Sequence, residues 1–259
     1  TTYSCPGYFQ IGKARFGCWL PSGHGEQDLV QALQHSCNVY FYRLGLSCGH
    51  ERIVAMARAL GLGQPTDLPL RGEASGLVAD DAWKRRIHRD AWRDGDTCNL
   101  SIGQGALSAT PLQMAVLTGA LANGGRLYRP RLVQGVRAPG ASQFQALSPV
   151  LVRDLHWVPE HIRAVRAGMR AVVMTPDGTG RLASVPGVTM AGKTGTAEVG
   201  IKGAGQKLGW MLAFAPFEHP RYAAVVLVEQ AVSGGTTAAP MMQALMRRLF
   251  EQADREAEL

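Results

Sequence analysis

The sequence is short of lysine. Of its 27 basic side chains only Lys13, Lys84, Lys193, Lys202 and Lys207 are lysines, and the net charge is +7. Charged residues make up 18% of the 259 positions, too few for a disordered or coiled-coil chain. No aromatic-interleaved basic stripe, zinc-finger spacing or phosphate loop accompanies the basic excess, so no nucleic-acid partner is expected. No apolar run reaches the roughly 20 residues that span a bilayer, and the first residues do not read as a signal peptide. The five cysteines, Cys5, Cys18, Cys37, Cys48 and Cys98, form no C-x-x-C pair, which argues against a zinc or thioredoxin-type centre; no metal and no cofactor is expected. Cys5 and Cys18 bracket a glycine-rich aromatic stretch and could close a small disulfide loop in an oxidising compartment. Five buried or free thiols are the alternative.

What is present is apolar and ordered. At 46% hydrophobic the chain can fill one large core, and with no internal repeat it reads as a single domain over 1–259. Pro6-Gly7-Tyr8-Phe9 and Gly23-His24-Gly25 are turn signals near the start, and His24 reads as a loop residue ordering a turn. Asp28 with Gln31 three residues on predicts a reciprocally capped helix, its apolar stripe running Leu29, Ala32, Leu33 and Ser36. Ser36 and Asn38 then stand among Val39, Tyr40, Phe41 and Leu44. Polar groups in such surroundings must be hydrogen-bonded. A helix–helix turn capped by Ser36 or Asn38 is the plain explanation. A helix is predicted over His50 to Leu60, and residues 62–98 read as a long irregular loop. Thr110-Pro111-Leu112-Gln113 opens another helix with a threonine cap, proline at the first position and glutamine at the third. A longer helix is predicted from about Pro159 to Met174, ending in the turn Thr175-Pro176-Asp177-Gly178-Thr179-Gly180.

From 188 to 230 the period becomes that of strands: Val188–Val199, Leu208–Ala215 and Tyr222–Glu229, with connections short enough for an antiparallel meander. A last helix covers about Pro240 to Glu256. Helices, an antiparallel sheet and a closing helix make the class α+β. The first strand holds the densest chemistry. In Gly192-Lys193-Thr194-Gly195-Thr196, Lys193 and Gly195 face one way and Thr194 and Thr196 the other. Glycine at 195 lets a ligand approach the backbone. The strand thus offers main-chain bonds, a cation and hydroxyls to an extended peptide that ends in a carboxylate. An ordinary strand with a solvated lysine is the competing reading.

Two motifs break the tie. Ser36-Cys37-Asn38 matches S-x-N and Lys193-Thr194-Gly195 matches K-T-G, two of the three motifs of the serine penicillin-recognising enzymes. With Ser101-Ile102-Gly103-Gln104-Gly105 and Ala109-Thr110-Pro111-Leu112-Gln113-Met114-Ala115, nearly the whole chain resembles the penicillin-binding protein 2 family of class B D,D-transpeptidases. The resemblance implies the penicillin-recognising, β-lactamase-like α+β fold, with an antiparallel sheet between helices. It implies acyl transfer between peptidoglycan stem peptides, and β-lactams as inhibitors. It also implies elongation-complex membrane proteins as partners, and a place at the periplasmic face of the inner membrane through an anchor outside these residues. Carried onto this chain, Ser36 relays protons, Asn38 holds the stem amide, and Lys193 supports the electrostatics beside Ser36. Thr194 and Thr196 receive the substrate carboxylate, with Gly195 between them, and the Thr196 N–H forms half of an oxyanion hole.

The sequence departs from that family at one point: none of its five lysines has serine three residues before it, so S-x-x-K, which carries the nucleophile, is absent. The expectation is a C-terminal portion of a transpeptidase whose nucleophile lies upstream. The alternatives are a relative that has lost catalysis and serves as an envelope scaffold, and a serine β-lactamase or β-lactam sensor of the same fold. If strands and a helix are supplied from upstream, this portion should carry an open sheet edge and exposed apolar surface.

Overall fold

The computed structural model describes residues 1–140, 142–200 and 205–257. Strand β1 (Tyr3–Cys5) pairs antiparallel with β4 (Gly25–Gln27), and between them β2 (Tyr8–Ile11) and β3 (Ala14–Gly17) form a hairpin. Helix α1 (Leu29–Gln34) follows, with the Asp28–Gln31 capping box formed as the sequence predicts. It stops short of Ser36, which lies in the turn leading to α2 (Asn38–Cys48). Neither Ser36 nor Asn38 caps that helix: Cys37 is the cap residue and makes no side-chain cap bond. Ala32, Cys37, Val39, Tyr40 and Tyr42 pack with Cys5 and Cys98 into a core that seats the β2–β3 hairpin through Phe9 and Phe16.

Helix α3 (His50–Ala59) is where its periodicity placed it. The stretch after it is not the loop expected for 62–98. It holds β5 (Leu77–Val78), α4 (Asp81–His88) and α5 (Asp94–Ser101), and β5 pairs with β6 (Leu107–Ser108). Apolar periodicity could not announce α4, which has no fully buried residue. Its signals are polar: the Asp80 carboxylate accepts from Trp83 N at 2.8 Å, and Lys84 pairs with Asp96 of α5 at 2.5 Å. Helix α6 (Pro111–Ala122) carries the Thr110–Gln113 capping box. An exposed arm of short ribbons comes next, β7 (Arg126–Tyr128) with β10 (Leu151–Asp154) and β8 (Gly135–Val136) with β9 (Gln145–Ala146). The sequence did not announce these ribbons.

Helix α7 (Pro159–Met174) leads to the central meander, β11 (Ala191–Val199), β12 (Gln206–Ala215) and β13 (Tyr222–Val228), antiparallel in the order β11-β12-β13. The connection expected over Ile201 to Ala204 lies outside the described residues. Helix α8 (Ala239–Ala257) closes the fold. Alternation along β12 divides the core in two. Met211, Ala213 and Ala215 pack with Val172 and Val173 of α7 and with Ala239, Met242 and Met246 of α8. Phe214 packs on the other face with Ala122 of α6 and Met169 of α7. Helices therefore cover both faces, each buried methionine contributing about 1.5–3 kcal/mol. Among the described residues the outer edges of β11 and β13 have no strand partner.

Candidate active site

The N-terminal layer and the sheet meet at Ser36. Its φ is +53°, left-handed, a conformation in which a non-glycine residue is strained by about 1–3 kcal/mol. Backbone bonds hold the turn around it: Ser36 N donates to Leu33 O at 3.2 Å and Cys37 N to Ala32 O at 2.9 Å. Lys193, remote in sequence, arrives on β11 and donates from Nζ to Ser36 Oγ at 2.8 Å and to Thr194 O at 2.8 Å. Burial of its ammonium end disfavours the charged form and pulls its pKa down to about 8. Asn38 lies at the first turn of α2, its Nδ2 donating to Gly17 O at 3.2 Å, with the carbonyl oxygen left for a ligand.

The two threonines of the strand are not equivalent. Thr194 Oγ1 donates to Thr179 Oγ1 at 2.9 Å, and Thr179 donates in turn to Gln34 O at 3.2 Å. The Thr194 proton is thus committed within the protein. Thr196 is exposed; its Oγ1 accepts from Gly234 N at 3.1 Å and keeps its own proton for a ligand. Gly234 is required there, because a Cβ would stand 2.3 Å from the carbonyl oxygens of Gly195 and Trp210. Gly195 faces Trp210 across the ladder, where a Cβ would come within 3.3 Å of the tryptophan Cβ.

The catalytic and substrate-binding residues named from the sequence thus lie on two segments joined by the Lys193–Ser36 contact. Three supporting residues had no role assigned from sequence: Gln104, whose Nε2 donates to Thr196 O at 3.1 Å, Thr179 and Gly234. Gln104 lay in a block that carried the family resemblance and Thr179 in a recognised turn signal, but their partners are about 90 and 15 residues away in sequence and only the fold pairs them.

The cysteines give a correction. Cys5 and Cys18 are free thiols, not a disulfide. Both sulfurs face His24 Nδ1, at 3.6 and 3.5 Å, and Cys37 joins them, the four ligand atoms lying within 4.8 Å of one another. The absence of C-x-x-C argued against a metal, yet four positions far apart in sequence make a three-thiol, one-imidazole set, the donor chemistry of a structural zinc site. The Cys37 thiol donates toward Cys18, which holds the Cys18 pKa down to about 4 and pushes that of Cys37 up. A thiolate already favoured at Cys18 suits metal ligation. His24 Nε2 is buried and unpartnered, while the ligand-facing nitrogen is Nδ1. The residues fit such an ion, and Cys37 would tie it directly to the turn between Ser36 and Asn38.

Residues 1–247 match the family model described as the penicillin binding protein transpeptidase domain. The chain belongs to that family. It is 32% identical to the peptidoglycan D,D-transpeptidase MrdA of Haemophilus influenzae over 97% of its own length and 41% of that protein's. Against MrdA of Acinetobacter baumannii it is 33% identical, covering 92% of this chain and 37% of that one. The fold is the penicillin-binding transpeptidase fold. PBP2 of Helicobacter pylori superposes with a TM-score of 0.84 at 33% identity, covering 97% of this chain and 45% of that chain. PBP2 of Pseudomonas aeruginosa, solved in complex with WCK 5153, gives 0.83 at 32%, covering 96% and 55%. The chain therefore spans about two-fifths of the length of the curated relatives it matches. Among the described residues no helix is long and apolar enough to cross a membrane.

Proposed function

We propose that these residues are the S-x-N and K-T-G half of a peptidoglycan D,D-transpeptidase, whose serine nucleophile is supplied by a part of the protein outside them. The observation that carries the reading is the 2.8 Å contact between Lys193 Nζ and Ser36 Oγ, which joins the two motifs across 157 residues of sequence. The relatives' name, D,D-transpeptidase, supplies the reaction class.

In this reading the stem peptide lies extended along β11. The nucleophile oxygen attacks the penultimate D-Ala carbonyl; the amide C–N bond breaks and the terminal D-Ala leaves with a proton. An amine of a neighbouring stem then attacks the ester, forming the cross-link and returning a proton to the serine. Ser36 Oγ carries these protons between the nitrogen and Lys193, whose lowered pKa lets it hold or release one near neutral pH. Asn38 Oδ1 accepts the stem amide N–H. Thr196 receives the terminal carboxylate through its free hydroxyl proton, and its N–H contributes to an oxyanion hole, worth about 3 kcal/mol per donor. Thr194 acts by holding the strand to Thr179. Cys5, Cys18, His24 and Cys37 would hold a zinc ion that braces the S-x-N turn and takes no part in acyl transfer.

The proposed setting is the periplasmic face of the inner membrane, among elongation-complex proteins. A PBP2 from Helicobacter pylori has been solved in complex with MreC, which supports a partner of that kind. The test is acylation of the protein, extended upstream to include the nucleophile, by a fluorescent penicillin. Labelling abolished by Lys193→Ala is the expected result. Labelling that persists in that variant would refute the assigned role.

A further inference from the structure

His35, the residue before Ser36, spends every polar group it has. Its N–H donates to Gln31 O and its carbonyl accepts from Trp19 Nε1 at 2.8 Å. Nδ1 meets Gln27 Oε1 of β4 at 2.8 Å, and Nε2 meets Asp177 Oδ2 at 3.0 Å. Gln27 Nε2 donates to the carbonyls of His24 and Glu26, which fixes its amide so that oxygen faces the imidazole. Gln27 Oε1 and the Asp177 carboxylate therefore stand as acceptors at the two ring nitrogens, which fixes the imidazole between β4 and the 175–180 loop. Asp177 also takes Gln34 Nε2 at 2.7 Å, and its pKa is lowered chiefly by the His35 bond.

Asp177 belongs to the loop that carries Thr179, and Thr179 receives the Thr194 hydroxyl of the K-T-G strand. His35 thus ties α1, the Trp19 segment, β4 and the 175–180 loop together beside a residue in strained backbone. A strained residue persists only where its surroundings over-determine it. The imidazole adjoins S-x-N and the carboxylate adjoins the support of K-T-G, alongside the Gln34 carbonyl that receives Thr179.

We propose that His35 and Asp177 are a positioning pair that holds the left-handed turn at Ser36 in register with Lys193. The proposal rests on the transpeptidase reading and extends it to residues that touch no substrate. With the pair broken, Ser36 relaxes out of its strained conformation, and proton transfer through it slows while the peptide groove is unchanged.

The test uses the upstream-extended protein and stopped-flow acylation by a fluorescent penicillin, which separates the saturation constant from the rate constant. The Asp177 side chain is 64% exposed, so Asp177→Ala should leave the protein folded. Asp177→Ala and His35→Ala should each lower the acylation rate constant at least about tenfold, with the saturation constant unchanged within about twofold. Asp177→Glu, which can rebuild the contact with the imidazole from an exposed loop, should restore most of the rate. Equal losses in both constants that track a fall in melting temperature would reduce the pair to a structural contact and overturn the proposal. Variants acylating like wild type would overturn it while leaving the transpeptidase reading intact. A wild-type protein that does not acylate at all would remove both.

Discussion

Lys193 is the residue on which chemistry and stability pull in opposite directions. Its folded pKa is about 8, against 10.5 for an unperturbed lysine. Below about pH 8 both folded and unfolded chains carry the charge, and the folded state bears the full cost of burying it. From about pH 8 to 10.5 the folded chain has released a proton that the unfolded chain still holds, so stability rises with pH across that window. Denaturant titration at several pH values should show this contribution as a difference: stability should rise with pH more steeply in the wild type than in Lys193→Met across that window. The same variant should be at least as stable as wild type at pH 7, since a costly buried cation is gone. It should nonetheless lose about 100- to 10,000-fold in acylation in the extended protein. At Cys5, Cys18, His24 and Cys37 the expectation is one zinc ion per chain by native mass spectrometry and metal analysis. Cys18→Ser should lose the ion, and a wild-type protein purified free of chelator that binds no zinc would sink that assignment.

Elements show where the sequence spoke plainly and where it did not. The capping boxes of α1 and α6, the α7 helix from Pro159 to Met174 and the three-strand meander were legible, because each joins a local polar signal to a regular apolar period. Helices α4 and α5 were not: α4 takes its order from the Lys84–Asp96 and Arg85–Asp81 pairs and its Asp80 cap with no residue buried, and α5 buries Thr97, Cys98 and Leu100 without a regular apolar period to read. The site divides similarly. Ser36, Asn38, Lys193 and Thr196 could be named from motif and alternation. That Thr194 points its hydroxyl inward to Thr179, or that three distant cysteines gather on His24, depends on tertiary register, which local pattern does not encode. At this scale Gly234→Ala is the sharpest probe. Its Cβ would stand 2.3 Å from two carbonyl oxygens behind the K-T-G strand, so we expect about 1–3 kcal/mol of lost stability and a displaced Thr196. Thermal unfolding with penicillin acylation would report both; an unchanged protein would mean that the turn has room to move.

At the scale of the whole molecule the described residues leave strand edges and apolar surface uncovered. The outer edges of β11 and β13 carry no strand among the described residues. Leu132, Val133, Val136, Phe144, Leu147 and Val150 to Val152 are all exposed along the ribbon arm. Unpaired edges and apolar surface of this kind invite association. We expect the 259-residue chain to aggregate more readily than a version extended upstream, and equal behaviour in light scattering would count against that account. A nucleophile-bearing segment would have to come within reach of Lys193 and Ser36. One measurement tests this most directly: intact mass of the chain and of the upstream-extended protein after exposure to a β-lactam. A stoichiometric adduct on the extended protein and none on these 259 residues is the result predicted here. An adduct on these residues alone would place a nucleophile among them, with Ser36 the first to examine, and would contradict the account. No adduct on either would leave the fold in place and take away the enzyme.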